Sequence, residues 1–267
     1  MNFKDKYGNT AMVAGASEGL GAAYANALAA KGFDLVLIAR RWQALEVLAD
    51  SIKKKFSVKI ILVVCDISAD DALQQIINAT ADTPIDFMVF NAAACYIGPF
   101  EKAPLETHLQ IARLNAVSSL SFVHHFGSKM VERKRGGIII MTSLAGFQGA
   151  GYVATYGATK AFNRVLAEGL WYEWKDLGVD VVACCCGPID TPNFTNNNPV
   201  KASIFEPKYL VPENVVKEAL DKIGKVPSFV CGRAFRVANF FMQHLLPRKT
   251  TIKFVGDGTK KMFDVSA

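Results

Sequence analysis

The chain has 267 residues, of which 51% are hydrophobic and 20% are charged. This balance excludes an intrinsically disordered chain, which has too little apolar surface to offset the entropy that is lost on ordering. It also excludes a small disulfide-stapled scaffold, because a chain of this length can bury a sizeable core unaided. The length allows one or two domains, and the lack of any Gly/Ser-rich or Pro-rich linker favours one.

The net charge of +6 is concentrated near the C-terminus. Residues 226–267 contain seven basic and two acidic side chains, so this C-terminal extension carries most of the excess. The first 225 residues contain 23 basic and 22 acidic side chains, which leaves the body of the protein almost neutral. Because no basic face runs through the body, we expect no nucleic-acid binding. Only the C-terminal extension could favour an anionic ligand or a membrane surface.

The cysteines and the N-terminus indicate a protein of a reducing compartment. The six cysteines lack the CxxC or Cys/His spacing that is typical of zinc sites, so we expect no metal. Cys184, Cys185 and Cys186 alternate between two faces of a predicted strand, and we interpret the cysteines as buried thiols. The N-terminus lacks the apolar core of a signal peptide, and no apolar run approaches the roughly 18–20 residues of a transmembrane helix. We therefore expect a cytoplasmic protein.

Short apolar runs alternate along the chain with longer amphipathic stretches. The runs are β-branched and continuous, which is typical of strands buried on both faces of a parallel sheet. The predicted strands are Thr10–Ala14, Asp34–Ala39, Lys59–Cys65, Phe87–Phe90, Gly137–Thr142 and Val179–Cys185. The predicted helices are Leu20–Lys31, a stretch up to Lys55, one from Asp70, Leu105–Val131 and Val153–Asp176. This alternation predicts an α/β fold of Rossmann type, a doubly wound parallel sheet with helices on both faces, in one domain over residues 1–267.

Two features lie beyond the predicted sheet. Residues 187–210 are rich in Pro and Asn and too long for a tight connection. Because they follow the carboxyl end of a strand, we predict a substrate lid rather than a tolerated surface insertion. In the extension, Ala234–Leu246 is predicted to be helical, with a polar stripe formed by Arg236, Asn239 and Gln243. This helix could cover the substrate pocket, join a subunit interface or lie on a membrane surface, and packing within the protein is the simplest expectation.

A glycine-rich turn, AGASEGLG, lies between the first predicted strand and helix. Gly15, Gly19 and Gly21 let the backbone turn sharply and approach a pyrophosphate closely. The helix that follows presents free N–H groups to that anion. The motif is also compatible with an ordinary βα turn, but its position between a strand and a helix at the start of the chain favours a nucleotide site.

The spacing Gly-x-x-x-Gly-x-Gly resembles the classical short-chain dehydrogenase/reductase family. The resemblance extends over nearly the whole chain, through residues 91–94 (NAAA), Ser143 and Tyr156-Gly-Ala-Thr-Lys160, which stand where that family has its recurring motifs. The departures at Ala14, Ala94 and Cys186 are conservative in size. Within the family, the chain is most similar to bacterial hydroxysteroid dehydrogenases and to long-chain 3-oxoacyl and 17β-hydroxysteroid reductases.

The resemblance implies a catalytic tetrad of Asn115, Ser143, Tyr156 and Lys160. Tyr156 and Lys160 are four residues apart on a predicted helix, and a nearby ammonium would lower the tyrosine pKa from its usual value near ~10. Ser143 would donate a hydrogen bond to the substrate carbonyl, and Asn115 would hold a water in a proton relay. Each residue alone has an ordinary structural explanation, but the ordered set with the upstream glycine motif does not.

The resemblance also implies a nicotinamide dinucleotide. The expected contacts come from the glycine turn, strand ends, the Tyr–Lys pair and the start of the lid: Gly15, Ser17, Glu18, Gly19, Leu20, Gly21, Arg40, Arg41, Asp66, Ile67, Asn91, Ala92, Ala93, Tyr156, Lys160, Ile189 and Thr191. NAD-dependent relatives usually have an acidic residue at the end of the second strand, where this chain has Ala39 and then two arginines. Arginine suits a 2′-phosphate, so NADP(H) is predicted. Glu18 argues against it unless that carboxylate turns to solvent or pairs with an arginine.

These features predict an NADP(H)-dependent oxidoreductase that interconverts a secondary alcohol and a ketone on a bulky hydrophobic substrate, such as a bile-acid-like hydroxysteroid. Aromatic side chains near the strand ends favour a large apolar pocket: Tyr96, Phe100, Phe147, Tyr152, Phe194, Phe205 and Tyr209. A 3-oxoacyl thioester reductase or another carbonyl reductase is the alternative, and a catalytically idle nucleotide-bound sensor or scaffold is the alternative of another class. The resemblance further implies a homodimer or homotetramer, often formed through the fourth and fifth helices.

Overall fold

The computed structural model describes residues 2–195 and 209–265. Within them, seven strands form one parallel sheet in the order β3-β2-β1-β4-β5-β6-β7. The strands are β1 (Thr10–Ala14), β2 (Asp34–Ala39), β3 (Ile60–Val64), β4 (Phe87–Phe90), β5 (Gly136–Ser143), β6 (Val179–Cys186) and β7 (Ser228–Val230). The predicted doubly wound sheet is confirmed, and three of the six predicted strands have the predicted bounds.

Helices cover both faces of the sheet. They are α1 (Phe3–Tyr7), α2 (Gly19–Ala30), α3 (Trp42–Lys53), α4 (Ala72–Ala79), α5 (Leu105–Ala112), α6 (Ser118–Phe122), α7 (Ser128–Glu132), α8 (Ala154–Trp174), α9 (Pro192–Thr195), α10 (Pro212–Lys222), α11 (Arg233–His244) and α12 (Arg248–Met262). Two π-helical stretches, Arg113–Val117 and Val123–Gly127, join α5, α6 and α7 into one continuous helical segment.

The core consists of two apolar layers, one on each face of the sheet. Leu28 of α2, Leu45 of α3 and Val216 of α10 belong to the first layer. Phe122 and Ala167, from the long helical segment and from α8, belong to the second. The strands are buried from both sides, which explains why their sequences are continuous apolar runs.

The sequence patterns did not predict β7, α1, α10 or α12. β7 has only three residues, too few to show a period, and it pairs with β6 at the sheet edge. At the other edge, β3 ends at Val64, so Asp66 lies in the turn after the strand rather than at its end.

Among the helices of residues 2–195 and 209–265, none is both long and apolar enough to cross a bilayer.

Helix α11 packs against the body of the protein through the buried Phe235 and Asn239 and through polar contacts of its stripe, which agrees with the expectation that it packs within the protein. Arg236 forms an ion pair with Glu218, and Gln243 donates a hydrogen bond to Gln148 at 2.7 Å. Asn239 is buried. The polar side chains thus bind the helix to the body, which leaves apolar side chains exposed: Val237, Phe240, Phe241, Leu245 and Leu246.

The glycine turn allows a direct test of the fold. A Cβ atom added to Gly21 would overlap the carbonyl oxygen of Gly15, so Gly21→Ala must displace α2 from the turn. We expect this substitution to lower the free energy of unfolding by about 1–3 kcal/mol, as overpacking does, in urea titrations at fixed protein concentration. Gly169→Ala is the control, because no atom lies within 4 Å of the place its Cβ would take and the exposed helical site gains roughly 0.5–1 kcal/mol. Equal effects of the two substitutions would contradict the close-packing argument.

Candidate active site

The carboxyl ends of the parallel strands meet at one edge of the sheet. The strand order reverses between β1 and β4, which is the place where open α/β sheets bind ligands. Ser143 is the last residue of β5, and Tyr156 and Lys160 face this edge from the start of α8. The Ser143 side chain lies near the Tyr156 hydroxyl group. Lys160 Nζ lies 5.6 Å from the centre of the Tyr156 ring. The structure therefore brings together three of the four predicted catalytic side chains.

Burial controls the protonation of this group. Lys160 is 3% exposed, and its Nζ donates a hydrogen bond to the Met141 carbonyl oxygen at 2.9 Å. Burial lowers the pKa of Lys160 to about 8. Burial also raises the pKa of Tyr156 above its ordinary value, and the opposing hydrogen bond from Ser143 is the smaller effect. The expectation of a lowered tyrosine pKa is therefore wrong, because it counted the charge of Lys160 and not the desolvation of Tyr156.

Asn115 lies fully buried in the first π-helical stretch. Its Oδ1 accepts from the Ala94 N–H at 2.8 Å, and its Nδ2 donates to the Ala94 carbonyl at 2.9 Å and to Thr159 Oγ1 at 3.1 Å. Its own carbonyl oxygen accepts from Asn163 Nδ2 at 2.8 Å. The side chain thus ties the end of β4 to α8, and a relay water at this residue remains a prediction.

The glycine turn provides the features that a dinucleotide pyrophosphate requires. Gly15 and Gly19 adopt positive φ angles of 82° and 52°, and α2 begins after Glu18 without a side-chain cap. The free N–H groups of its first turn can therefore serve an anion. Asn91 Nδ2 donates to the Gly15 carbonyl at 2.9 Å, which holds the turn against the end of β4. Thr191 lies across from Gly19, where an added Cβ would be 3.0 Å from its Cγ2.

The two arginines after β2 have different contacts. Arg41 forms an ion pair with Glu18 at 2.6 Å and also donates to Ser17 Oγ at 3.3 Å. This pairing removes the objection that the Glu18 carboxylate would repel a phosphate. Arg40 is exposed beside Asp66, whose pKa is lowered chiefly by the hydrogen bond from Ser68 and further by the Arg40 charge. These residues fit a nucleotide that carries a 2′-phosphate at the end of β2.

The other predicted cofactor contacts lie in the same part of the fold. The Ala92 N–H donates to the Ala14 carbonyl at 2.9 Å, and Ala93 follows Ala92 in the segment after β4. Ile189 forms a bridge with Leu210 beyond the carboxyl end of β6. Leu20 is buried in α2, and Ile67 is buried with its carbonyl oxygen accepting from Ser118. Contact with a cofactor remains a prediction for each of them.

The predicted pocket aromatics form two separate groups. Tyr96, Phe100 and Tyr152 line a small cavity around His108, whose ring stacks on Phe100 at 4.3 Å between centroids. Phe194 contacts Tyr209 at 5.0 Å and Phe263 at 6.0 Å between ring centres. Phe147 lies apart from both groups, under the guanidinium of Arg164. Phe205 and most of the predicted lid lie outside the described residues.

Some residues of this region were not predicted or were predicted wrongly. Cys95 is exposed beside the catalytic group, so the interpretation of the cysteines as buried thiols is wrong for this one. Thr159 and Asn163 position Asn115, and Met141 accepts from Lys160 through its backbone. Thr159 belongs to the Tyr-Gly-Ala-Thr-Lys segment, so its place next to Lys160 was the one available signal. The backbone contact of Met141 leaves no trace in the sequence.

Comparison with known families shows which family the chain belongs to. A family model described as short chain dehydrogenase matches residues 9–202. The chain is a short-chain dehydrogenase. The matched region includes the glycine turn and the whole Ser143, Tyr156 and Lys160 group.

Individual relatives of this short-chain dehydrogenase extend over most of its length. The 7beta-hydroxysteroid dehydrogenase of Clostridium sardiniense is 33% identical over 88% of this chain and 90% of its own. The enzyme of the same name from Collinsella aerofaciens is 32% identical over 87% of this chain and 89% of its own. A solved structure from work on 7beta-hydroxysteroid dehydrogenase stereoselectivity has a TM-score of 0.88, 28% identity, and covers 96% of this chain and 99% of that one. A short-chain dehydrogenase from Sphingobium yanoikuyae, solved with NADPH, has a TM-score of 0.77, 26% identity, and covers 87% of this chain and 91% of that one.

The buried Lys160 predicts a pH dependence of stability. Its folded pKa of about 8 lies below the unfolded value of 10.5, so the unfolded chain binds more protons between these values. Stability therefore rises with pH through this window, and the cost of the buried charge is fully present below it. We expect the free energy of unfolding of wild type, relative to Lys160→Met, to rise by roughly 1–2 kcal/mol between about pH 7.5 and 9.5. Urea titrations of both proteins across this range measure it, and a constant difference would contradict the burial argument.

Proposed function

We propose that this short-chain dehydrogenase uses NADP(H) to interconvert a secondary alcohol and a ketone on a hydroxysteroid, at a 7-hydroxyl group. The observation that carries the proposal is the group of Ser143, Tyr156 and Lys160 at the carboxyl edge of the sheet, beside the uncapped glycine turn. The choice of a steroid is supported by the relatives named 7beta-hydroxysteroid dehydrogenase, which are 30–33% identical over nearly nine-tenths of the chain.

The side chains have distinct tasks in this reaction. When bound, the nicotinamide ring supplies or accepts the hydride. Ser143 donates a hydrogen bond to the substrate oxygen, on which negative charge develops as a ketone is reduced. The raised pKa keeps Tyr156 protonated, so its hydroxyl can donate a proton to that oxygen as a general acid. Lys160 lies beside the ring and supplies positive charge when it is protonated.

The preference for NADP(H) rests on the end of β2. Ala39 stands where a carboxylate would repel a 2′-phosphate, and Arg40 is exposed next to it. Because Arg41 is paired with Glu18, we assign the principal phosphate contact to Arg40. The NADPH-bound relative from Sphingobium yanoikuyae supports this cofactor.

Two alternatives have weaker support. The very-long-chain 3-oxoacyl-CoA reductase of Pyricularia oryzae is 31% identical, but the match spans 66% of this chain and 55% of that protein. An inactive hydroxysteroid dehydrogenase-like protein of Rattus norvegicus is 30% identical over a similar share. An idle scaffold would not need Ser143, Tyr156 and Lys160 together. In this chain, Ser143 and Lys160 both lie near Tyr156.

We also propose a homodimer or homotetramer in the cytoplasm. Large apolar side chains are exposed along the helical segment of α5 to α7 and along α8: Leu105, Leu109, Val117, Leu120, Phe162, Val165 and Tyr172. A second copy would bury them, together with the exposed side of α11. The proposed cytoplasmic location is supported by the cysteines, whose spacing is not typical of a disulfide framework.

A panel of ketones tests the substrate directly. NADPH oxidation is measured with 7-keto, 3-keto and 17-keto steroids, a long-chain 3-oxoacyl thioester and a simple aliphatic ketone. We expect the highest kcat/KM with the 7-keto steroid. Preference for the thioester would favour the reductase alternative, and no turnover with any ketone would favour the scaffold.

Tyr156→Phe tests the chemical mechanism. The substitution keeps the ring but removes the proton donor, so we expect turnover to fall by at least the ~10²–10⁴-fold that is typical of general acid–base catalysis. NADPH binding, followed by the fluorescence of the bound nucleotide, should persist. Tyr172→Phe is the matched control, since Tyr172 is an exposed tyrosine of the same helix. Near-normal turnover of Tyr156→Phe would refute the assignment.

Arg40→Ala tests the cofactor choice. Loss of a hydrogen bond to a charged group costs about 1.5–3 kcal/mol, so kcat/KM for NADPH should fall roughly ten- to hundredfold while NADH is nearly unaffected. Ala39→Asp should shift the preference towards NADH. Arg233→Ala, an exposed arginine at the start of α11, is the control. The phosphate argument fails if Arg40→Ala weakens both cofactors alike.

A further inference from the structure

Three buried thiols meet on one face of the sheet, outside the catalytic group. Cys184 and Cys186 are alternate residues of β6, so their side chains point to the same face. Cys231 follows β7, and its N–H donates to the Cys185 carbonyl at 2.9 Å, which places it alongside the end of β6. The Cys231 Sγ lies 3.3 Å from both Cys184 Sγ and Cys186 Sγ, and those two are 3.7 Å apart. The three sulfur atoms thus form a compact triangle, the thiol triangle.

The surroundings of the thiol triangle are buried and rich in sulfur, and the charged side chains of Glu218 and Arg236 lie near Cys231. Cys184 and Cys231 are 0% exposed and Cys186 is 4% exposed. Met141 pairs with Cys184 across β5 and β6 and belongs to the same apolar layer. Tyr24 donates a hydrogen bond to the Met141 Sδ at 3.3 Å and is also close to the Cys184 thiol. A polarisable thioether and one hydroxyl group therefore lie next to the three thiols.

The donor set determines which ion could bind. Among the described residues, no histidine or carboxylate joins the three sulfur atoms in a group of potential ligands. Zinc in structural sites takes four ligands in a tetrahedron, and hard cations take oxygen, so neither suits a set of three sulfur atoms. Thiolate and thioether ligands select Cu(I).

We propose that Cys184, Cys186 and Cys231 form a binding site for Cu(I). Each thiol that coordinates as a thiolate releases one proton to the solvent, and neither copper nor sulfur changes its oxidation state. The spacing along the sequence does not predict this site, because Cys231 reaches β6 only through the pairing of β7 at the sheet edge. The site does not depend on the proposed dehydrogenase activity.

The strand itself offers a matched control. Cys185 lies between two of the ligands but belongs to the opposite apolar layer. Its Sγ accepts a hydrogen bond from Thr142 Oγ1 at 3.1 Å, away from the thiol triangle. Cys185→Ala therefore removes a buried thiol from the same strand without removing a proposed ligand.

The test is anaerobic competition for Cu(I) between the full-length protein and a chromophoric Cu(I) chelator. We expect wild type and Cys185→Ala to withdraw one equivalent of Cu(I) each. Cys231→Ala and Cys184→Ala should lose at least tenfold in affinity, with folding checked by circular dichroism. The Cys95→Ser variant measures how much Cu(I) the exposed Cys95 thiol binds by itself. No uptake by wild type, or equal uptake by Cys231→Ala, would overturn the proposal.

X-ray absorption of the copper-loaded wild type provides a test that needs no variant. We expect copper surrounded by three sulfur atoms, with no nitrogen or oxygen neighbour. A nitrogen or oxygen neighbour would place the copper elsewhere on the chain and overturn the proposal. Recovery of a disulfide between these cysteines after anaerobic loading would show redox chemistry instead, and would also overturn the proposal.

Discussion

The candidate site depends on the reversal of strand order between β1 and β4. Because all strands are parallel, their carboxyl ends lie at one edge, and the helices that follow β1 and β4 leave to opposite faces there. The crevice that results is bounded by the glycine turn after β1 and by Asn91 after β4. The hydrogen bond from Asn91 Nδ2 to the Gly15 carbonyl joins its two sides. Ser143, one strand further along, then faces a site that the sheet itself has positioned.

Desolvation dominates the electrostatics of this edge. Lys160 exchanges contact with water for a hydrogen bond to the Met141 carbonyl, and its pKa falls as a result. The same burial acts in the opposite direction on the pKa of Tyr156, which favours the neutral phenol. Burial thus favours the neutral form of both side chains.

The C-terminal extension shows how tertiary contacts can override an amphipathic pattern. A helix with a narrow polar stripe would ordinarily bury its apolar side. In α11 only Phe235 of the apolar side is buried, and the ion pair of Arg236 with Glu218 and the hydrogen bond of Gln243 to Gln148 hold the polar stripe at the body. The exposed Phe240 and Phe241 then form an apolar surface on the outside of the protein. Such a surface is more typical of an interface than of a monomer's exterior.

Local patterns in the sequence were sufficient for six of the seven described strands and for the catalytic motif. Strands buried on both faces are continuous apolar runs, so β1, β2 and β4 could be predicted to the residue. The Tyr-x-x-x-Lys spacing likewise puts Tyr156 and Lys160 on one helix face without further information. These properties depend on residues that are close together in the chain.

Only the tertiary structure decided which distant residues meet: Arg41 with Glu18, Asn115 with Ala94, and Cys231 with β6. The pKa values of Tyr156 and Lys160 depend on burial by the whole fold, which no spacing reveals. The physical reason is that hydrophobic periodicity is encoded within a short window, whereas strand order, register and desolvation arise only when the complete sheet and its helices are packed.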